Sequence, residues 1–138
     1  MSVSSMPASV VWFERIAYLS IILSAASLPL NAATLVKYST KYPITYPITI
    51  VVVFAIQVFW IWLIARKRKN WARWITVVLE PPAIVSQVLE IDARFRLGVP
   101  AAIAYYAISA LWAFAVVLLV IPDAGAWFHK RDASSVSL

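Results

Sequence analysis

Glu80 is the residue of this sequence best placed to do chemistry, because it is a carboxylic acid inside a long apolar stretch. Arg73 and Asp92 bracket that stretch, so Glu80 lies near its middle, and no Lys or Arg occurs at a matching depth in any other apolar stretch. A charge at that depth of a membrane costs about 3 kcal/mol, so such an acid is normally paired, protonated or turned toward water. We therefore expect a neutral, hydrogen-bonding carboxyl at pH 7.

Pro81 and Pro82 follow the acid directly and cannot donate backbone hydrogen bonds to the carbonyls of Val77 and Val78. The pair predicts a helix that is kinked or broken beside Glu80. Two interpretations follow. In one, the freed carbonyls and the carboxyl hold a cation, as discontinuous transporter helices do. In the other, which we favour, neighbouring hydroxyls satisfy the carbonyls and Glu80 is hydrogen-bonded inside a helix bundle.

Other polar residues lie at a similar depth and predict a polar layer in mid-membrane: Ser24, Ser27, Gln57 and Ser109. Gln87 lies seven residues after Glu80 on the same helical face and extends that layer. Two stripes of small and polar residues have helical spacing: Ser20, Ser24, Ser27 and Asn31, and Ala102, Tyr106, Ser109 and Ala113. Such stripes more often let helices pack closely than line a pore, so they favour helix association.

A run of basic and aromatic residues separates the second and third apolar stretches: Arg66, Lys67, Arg68, Lys69, Trp71, Arg73 and Trp74. In a membrane protein, basic residues beside a span bind anionic lipid headgroups, and tryptophan anchors the same interface. The run therefore predicts lipid headgroups as partners and no nucleic acid. Glu90, Asp92, Arg94 and Arg96 are expected to form a solvated ion-pair cluster at the opposite end of the third stretch.

These residues need membrane-spanning helices to position them, because the chain is too apolar for a water-soluble domain of 138 residues. It is 63% hydrophobic and 13% charged, with a mean hydropathy of +0.84. Four stretches approach the roughly 20 residues that a membrane helix needs. We predict an all-α polytopic fold in one domain, with spans at about 16–36, 48–65, 71–91 and 100–121 and a cytoplasmic tail at 122–138.

The distribution of basic residues predicts that both termini are cytoplasmic. Eight of the 12 basic residues then lie inside: Arg15, Arg66, Lys67, Arg68, Lys69, Arg73, Lys130 and Arg131. Two alternatives stay open. The proline pair could make the third stretch a re-entrant hairpin, which charge does not decide, and the first stretch loosely imitates a signal peptide, although its apolar run is long for one.

Composition also restricts the chemistry. There is no cysteine, one histidine and only two glycines, which argues against thiolate metal sites, disulfides and glycine-rich nucleotide loops. No nucleophile paired with a base is recognisable. We therefore expect no cofactor, no metal site and no enzymatic activity.

Three segments, 12–15, 66–74 and 122–128, together resemble uncharacterised small four-helix inner-membrane proteins of bacteria. The resemblance implies a bacterial inner membrane and brings no activity with it. From the residues, the leading functional hypothesis is a non-enzymatic membrane subunit that associates with itself or with a larger complex through the two stripes. The alternative is a proton- or cation-linked transporter or channel built on Glu80 and a broken third helix.

Overall fold

The computed structural model describes the backbone of residues 6–135 and the side chains of residues 6–128, and all regular secondary structure in this part of the chain is helical. A short 3-10 helix at Leu28–Asn31 accompanies seven α-helices. These are α1 (Ala8–Ala26), α2 (Ala32–Lys41), α3 (Thr45–Ala65), α4 (Asn70–Leu89), α5 (Ile91–Leu97), α6 (Val99–Leu118) and α7 (Pro122–Ser135).

Helix length and hydropathy make this a multi-pass membrane protein with three to four candidate spans, which confirms the predicted fold class. Three helices qualify alone: α1, α3 and α6. The fourth span requires α4 and α5 together, and these are bent by 60° relative to each other. Runs of β-branched residues such as Val51–Val53 in α3 are modest helix formers in water, but lipid leaves the backbone no partner except its own carbonyls, so the helix is enforced.

The four long helices form a ring. α1 packs against α3 and α6, and α4 in turn contacts α3 and α6 on the far side of the ring. α5 lies against α6, and the 3-10 helix lies beside both α1 and α6. The centre of the bundle is therefore bordered by all four long helices.

One end of this bundle is tightly packed, and we refer to it as the packed end. It holds the buried cluster Val10, Phe13, Ala17, Ile61, Ile64, Ala65, Ala72, Ala115, Leu119, Ala124 and Phe128. The start of α1, the end of α3, the start of α4 and the end of α6 meet there. The segment predicted as a cytoplasmic tail forms α7, which contributes Phe128 to this core, and Ser9 Oγ donates a 2.8 Å hydrogen bond to Asp123 Oδ1.

The helix that contains most of the first predicted span differs from it at both ends. It begins at Ala8 rather than Ile16, and Glu14 lies within it, buried and paired with Arg66. The helix ends at Ala26, and a 3-10 turn with a proline at its start replaces the continuous helix expected to Val36. Pro29 explains the end, because it disfavours an α-helical Leu28 and donates no backbone hydrogen bond.

The third span also differs from the expectation. α4 is assigned as one helix from Asn70 to Leu89, with Pro81 and Pro82 inside it, so no break occurs beside Glu80. The sharp bend lies at Glu90, between α4 and α5. α5 then passes into α6 through Gly98, whose φ of 156° is one that a side-chain-bearing residue rarely adopts.

Candidate binding cavity

Beyond the packed end, the bundle encloses a cavity of about 400 Å³. All six residues of the predicted polar layer line it: Ser24, Ser27, Gln57, Glu80, Gln87 and Ser109. They come from α1, α3, α4 and α6, so the layer is assembled by the ring of helices rather than by one element. Cavities of this size are typical of small-molecule sites in proteins.

Glu80 is held at the cavity wall by a tryptophan on the neighbouring helix α6. Trp112 Nε1 donates a hydrogen bond of 3.1 Å to Glu80 Oε2, and both side chains line the cavity. The Trp112 ring also lies 6.5 Å, centroid to centroid, from the ring of Phe13 in the packed end. An indole has only one donor, so its single hydrogen bond fixes Oε2 and leaves Oε1 to accept from a proton or a ligand.

Trp112 lines the cavity but was not among the candidate residues predicted from the sequence. Its signal was its location: it lies well inside the fourth span, away from the basic residues that mark the interface. A tryptophan at that depth needs an acceptor for its indole N–H. Glu80 was the only acid expected at mid-membrane, so the two could have been paired from the sequence.

The serines of α1 present hydrogen-bond acceptors to the cavity. The hydroxyls of Ser20, Ser24 and Ser27 donate to the carbonyls of Ile16, Ser20 and Ser24, at 2.9, 2.8 and 2.8 Å. A hydroxyl that donates its hydrogen to a nearby backbone carbonyl still has lone pairs that can accept a hydrogen bond. Because these three serines line the cavity, their side of it is suited to a ligand that donates hydrogen bonds.

The two predicted stripes face the interior of the chain. Ser20, Ser24, Ser27 and Asn31 on one, and Ala102 and Ser109 on the other, line the cavity. Tyr106 also makes a contact within the chain: its hydroxyl donates a 2.9 Å hydrogen bond to the carbonyl of Gln87 and so links α6 to α4. Most residues of the two stripes therefore border the cavity or make contacts within the chain.

Arg94 occupies a place that the sequence analysis did not foresee. As expected, it pairs with Glu90, with 3.0 Å between Nη2 and Oε2. Its side chain is only 34% exposed, however, and lines the same cavity as Glu80. Its guanidinium lies 3.7 Å from the ring centroid of Tyr105, another cavity residue. The prediction of a fully solvated cluster is thus wrong for Arg94, because the bend at Glu90 folds α5 back onto α6.

The prolines do not contribute to the cavity in the way expected of a broken helix. Pro81 and Pro82 are exposed on α4, and the residues of α4 that line the cavity are Glu80, Ala83 and Gln87. Among the residues described, no group of three or more His, Asp or Glu could hold a metal ion. The cavity therefore offers a carboxyl, a guanidinium and neutral polar groups as its means of recognition.

The basic run divides into buried and exposed members. Arg73 was expected to bind lipid headgroups but is 4% exposed, and its Nε donates a 2.7 Å hydrogen bond to the carbonyl of Leu119. Its guanidinium also lies 5.2 Å from the ring centroid of Phe128. Arg73 therefore faces the interior rather than an accessible surface, because a carbonyl at the end of α6 and an aromatic ring of α7 enclose it in the packed end.

Arg66 and Arg68 are used for contacts within the chain. Arg66 Nε donates a 2.7 Å hydrogen bond to Glu14 Oε1, and this partner raises the pKa of Arg66. Arg68, in a left-handed backbone conformation with a φ of 54°, donates to the carbonyl of Trp127 at 2.7 Å and stacks on its ring at 3.5 Å. These contacts bring the basic run, α1 and α7 to the same end of the bundle.

The remaining members of the run are exposed at that end: Lys67, Lys69, Trp71 and Trp74. Lys67 Nζ lies 5.0 Å from the ring centroid of Trp62, and the Trp71 ring meets Trp60 edge-on at 5.6 Å. Two ammonium groups and two large indole rings are therefore left at the surface of the packed end, where a headgroup could reach them.

Comparisons with protein-family models, with curated proteins and with solved structures found no match to this chain.

Proposed function

We propose that this protein is a small membrane transporter or channel that moves protons or cations through the cavity, with Glu80 as the group that binds them. The observation that carries the proposal is the convergence of six polar residues from four helices on one cavity that contains an intramembrane carboxyl. Polar groups inside a membrane are costly, and they are commonly retained where they line a path for ions or protons.

Glu80 can couple two species because it has one free site for either of them. Trp112 holds Oε2, so Oε1 can carry a proton or can accept from a cationic ligand. A carboxyl that is protonated is neutral and no longer attracts a cation, so the proton and the cation compete for it. Competition at a single carboxyl is sufficient for exchange transport, in which one species leaves as the other binds.

Reconstitution into liposomes tests this proposal. Vesicles containing the protein and a trapped pH dye would be given a potassium diffusion potential, and internal pH would be followed. We expect proton entry well above that of protein-free vesicles. Flux equal to that of protein-free vesicles, with and without added monovalent cations and organic amines, would contradict the proposal.

A second candidate function, association into a homo-oligomer or a larger membrane complex, is favoured by Gln57. This amide lines the cavity from α3 and is at the same time exposed at the surface of the chain. A primary amide facing lipid loses its hydrogen bonds with water, whereas the same amide at a contact between two chains can bond across it. A second copy would thus complete one wall of the cavity.

The expected result is that Gln57→Leu shifts the protein toward the monomer. Chemical cross-linking in native membranes and mass measurement in mild detergent would report the change. Thr49→Leu, on the same helix and also exposed, is the matched control and should leave the oligomer unchanged. If wild-type protein is monomeric in membranes at all protein-to-lipid ratios tested, association is not its function.

We further propose that the packed end faces the cytoplasm of a bacterial inner membrane, with Lys67, Lys69, Trp71 and Trp74 at anionic headgroups. The eight-to-four distribution of basic residues supports this orientation. A fluorescent protein fused after Leu138 should then be fluorescent, and alkaline phosphatase fused there should be inactive. Active phosphatase would place the C-terminus outside and favour a re-entrant α4–α5 pair.

A further inference from the structure

The cavity contains one acidic and one basic side chain, and their separation can be read from α6. Trp112 holds the Glu80 carboxyl, and Tyr105 lies beneath the Arg94 guanidinium. Trp112 and Tyr105 are seven residues apart on one helix, which puts them on the same face and about 10 Å apart along its axis. The Glu80 carboxyl, which is negative when it releases its proton to a competing cation, and the Arg94 guanidinium therefore lie toward the two ends of one wall.

Polar groups occupy the wall between these charges. Ser109 lies on α6 between Tyr105 and Trp112, and Gln87 lies on α4 between Glu80 and the bend at Glu90. The α1 serines face the same space with their hydroxyl hydrogens already donated to their own helix. The cavity thus offers neutral hydrogen-bonding groups along the length of a bound solute, in addition to the carboxyl and the guanidinium.

Arg94 retains hydrogen-bonding capacity for an anion. A guanidinium has five N–H donors, and the ion pair with Glu90 uses Nη2. Its Nε is buried and has no hydrogen-bond partner among the residues described. Because a buried donor without a partner is costly, a carboxylate or phosphate oxygen brought to this end of the cavity would be stabilised.

We infer that the solute recognised by this cavity is a small zwitterion, with its primary ammonium at Glu80 and its carboxylate or phosphate at Arg94. The inference rests on the proposed function in taking the cavity as the transport site. We take the spacing of about 10 Å between Trp112 and Tyr105 along α6 as the separation of the two protein groups. Subtracting a contact of about 3 Å at each end leaves about 4 Å between the charges of the solute. The flexible chains of a linear γ-amino acid and of a phosphoethanolamine group can both adopt such a separation.

Solutes of a single charge fit less well. A cation bound at Glu80 shares the cavity with Arg94, and an anion bound at Arg94 shares it with Glu80. In a medium that screens charges less than water does, like charges about 10 Å apart repel each other appreciably. A zwitterion places each of its charges beside the opposite charge of the protein, and the net charge of the occupied cavity does not change.

Binding of 4-aminobutyrate to the full-length protein in phosphatidylcholine nanodiscs, measured by isothermal titration calorimetry, tests the inference. Butylamine and butyrate each carry one of its charges and serve as matched ligands. We expect 4-aminobutyrate to bind more tightly than either. We also expect Glu80→Gln and Arg94→Gln each to weaken its binding by roughly ten- to a hundredfold.

Two further variants separate recognition from folding. Arg94→Lys keeps the charge and should lose less affinity than Arg94→Gln, whereas Arg96→Gln removes an exposed charge of the same short helix and should bind as the wild type does. Melting of each variant without ligand checks that the bundle is intact. A second set of nanodiscs containing phosphatidylethanolamine distinguishes the source: competition with 4-aminobutyrate identifies a lipid headgroup, and its absence a free solute.

The inference is overturned if butylamine binds as tightly as 4-aminobutyrate and Arg94→Gln has no effect, which would make the cavity a plain cation site. It is also overturned if neither 4-aminobutyrate nor the phosphatidylethanolamine headgroup binds. In both cases the proposed function is judged separately, because proton flux that depends on Glu80 can persist without recognition by Arg94. Conversely, binding of the zwitterion without any flux would support recognition by the cavity and contradict the proposed transport.

Discussion

Replacing Glu80 with glutamine is expected to reduce proton flux in the liposome assay to the level of protein-free vesicles. Glutamine has nearly the same shape and keeps an oxygen that can accept the indole N–H of Trp112, so the contact with α6 is preserved. What the substitution removes is the ability to bind and release a proton. Loss of flux would therefore report on titration of the carboxyl rather than on packing.

Two variants sharpen this result. Glu80→Asp keeps a titratable acid and should retain part of the flux, whereas Asp92→Asn removes an exposed acid of α5 outside the cavity lining and should leave the flux unchanged. If Glu80→Gln conducts protons as the wild type does, the carboxyl is a structural acceptor for Trp112, and the transport proposal loses its central residue.

The second large effect is expected on stability, from Arg73→Ala. The guanidinium donates to the carbonyl of Leu119 at 2.7 Å and lies 5.2 Å from the Phe128 ring centroid and 5.1 Å from that of Trp74. Truncation leaves a carbonyl without its donor and a void between α4, α6 and α7. A lost hydrogen bond to a charged group and the void together should lower the free energy of unfolding by about 3 kcal/mol.

Thermal melting in detergent, followed by circular dichroism, measures this loss. Arg96→Ala is the matched control, since it removes an exposed arginine and should change the free energy of unfolding by less than about 0.5 kcal/mol. Arg73→Lys should fall between them, because lysine keeps a charge but lacks the planar fork that donates and stacks at once. If Arg73→Ala and Arg96→Ala melt at the same temperature, the contacts of Arg73 in the packed end do not stabilise the fold.

The sequence was sufficient to predict how deep each residue of the polar layer lies in its span and which residues share a helical face. Charged residues mark the ends of each apolar stretch, so a residue count places Gln57, Glu80 and Ser109 at comparable depths. Helical periodicity then puts Ser24 and Ser27 on one side of α1, and Gln87 on the side of Glu80. The structure brings these residues to one cavity. Helices of similar length pack side by side there, so residues near the middle of each helix lie at the same level of the bundle.

The behaviour of the prolines was not accessible. Pro29 ends a helix, whereas Pro81 and Pro82 lie inside one, although each ring fixes a φ that is itself helical. The difference lies in the neighbours. α4 is held against α6 on both sides of its prolines, by Trp112 at Glu80 and by Tyr106 at the Gln87 carbonyl. Tertiary contacts therefore keep α4 a single helix where local preference alone predicted a kink or a break.

By itself, the sequence determined that this chain is a helical membrane protein with a carboxyl inside an apolar helix, because hydropathy and periodicity are local properties of a chain in lipid. Only the tertiary structure decided which charges share a site. The bend at Glu90 brings Arg94 into the cavity, and the carbonyl that holds Arg73 lies 46 residues along the chain. Both arginines have long side chains whose partners depend on how distant helices pack, and no local pattern records that packing.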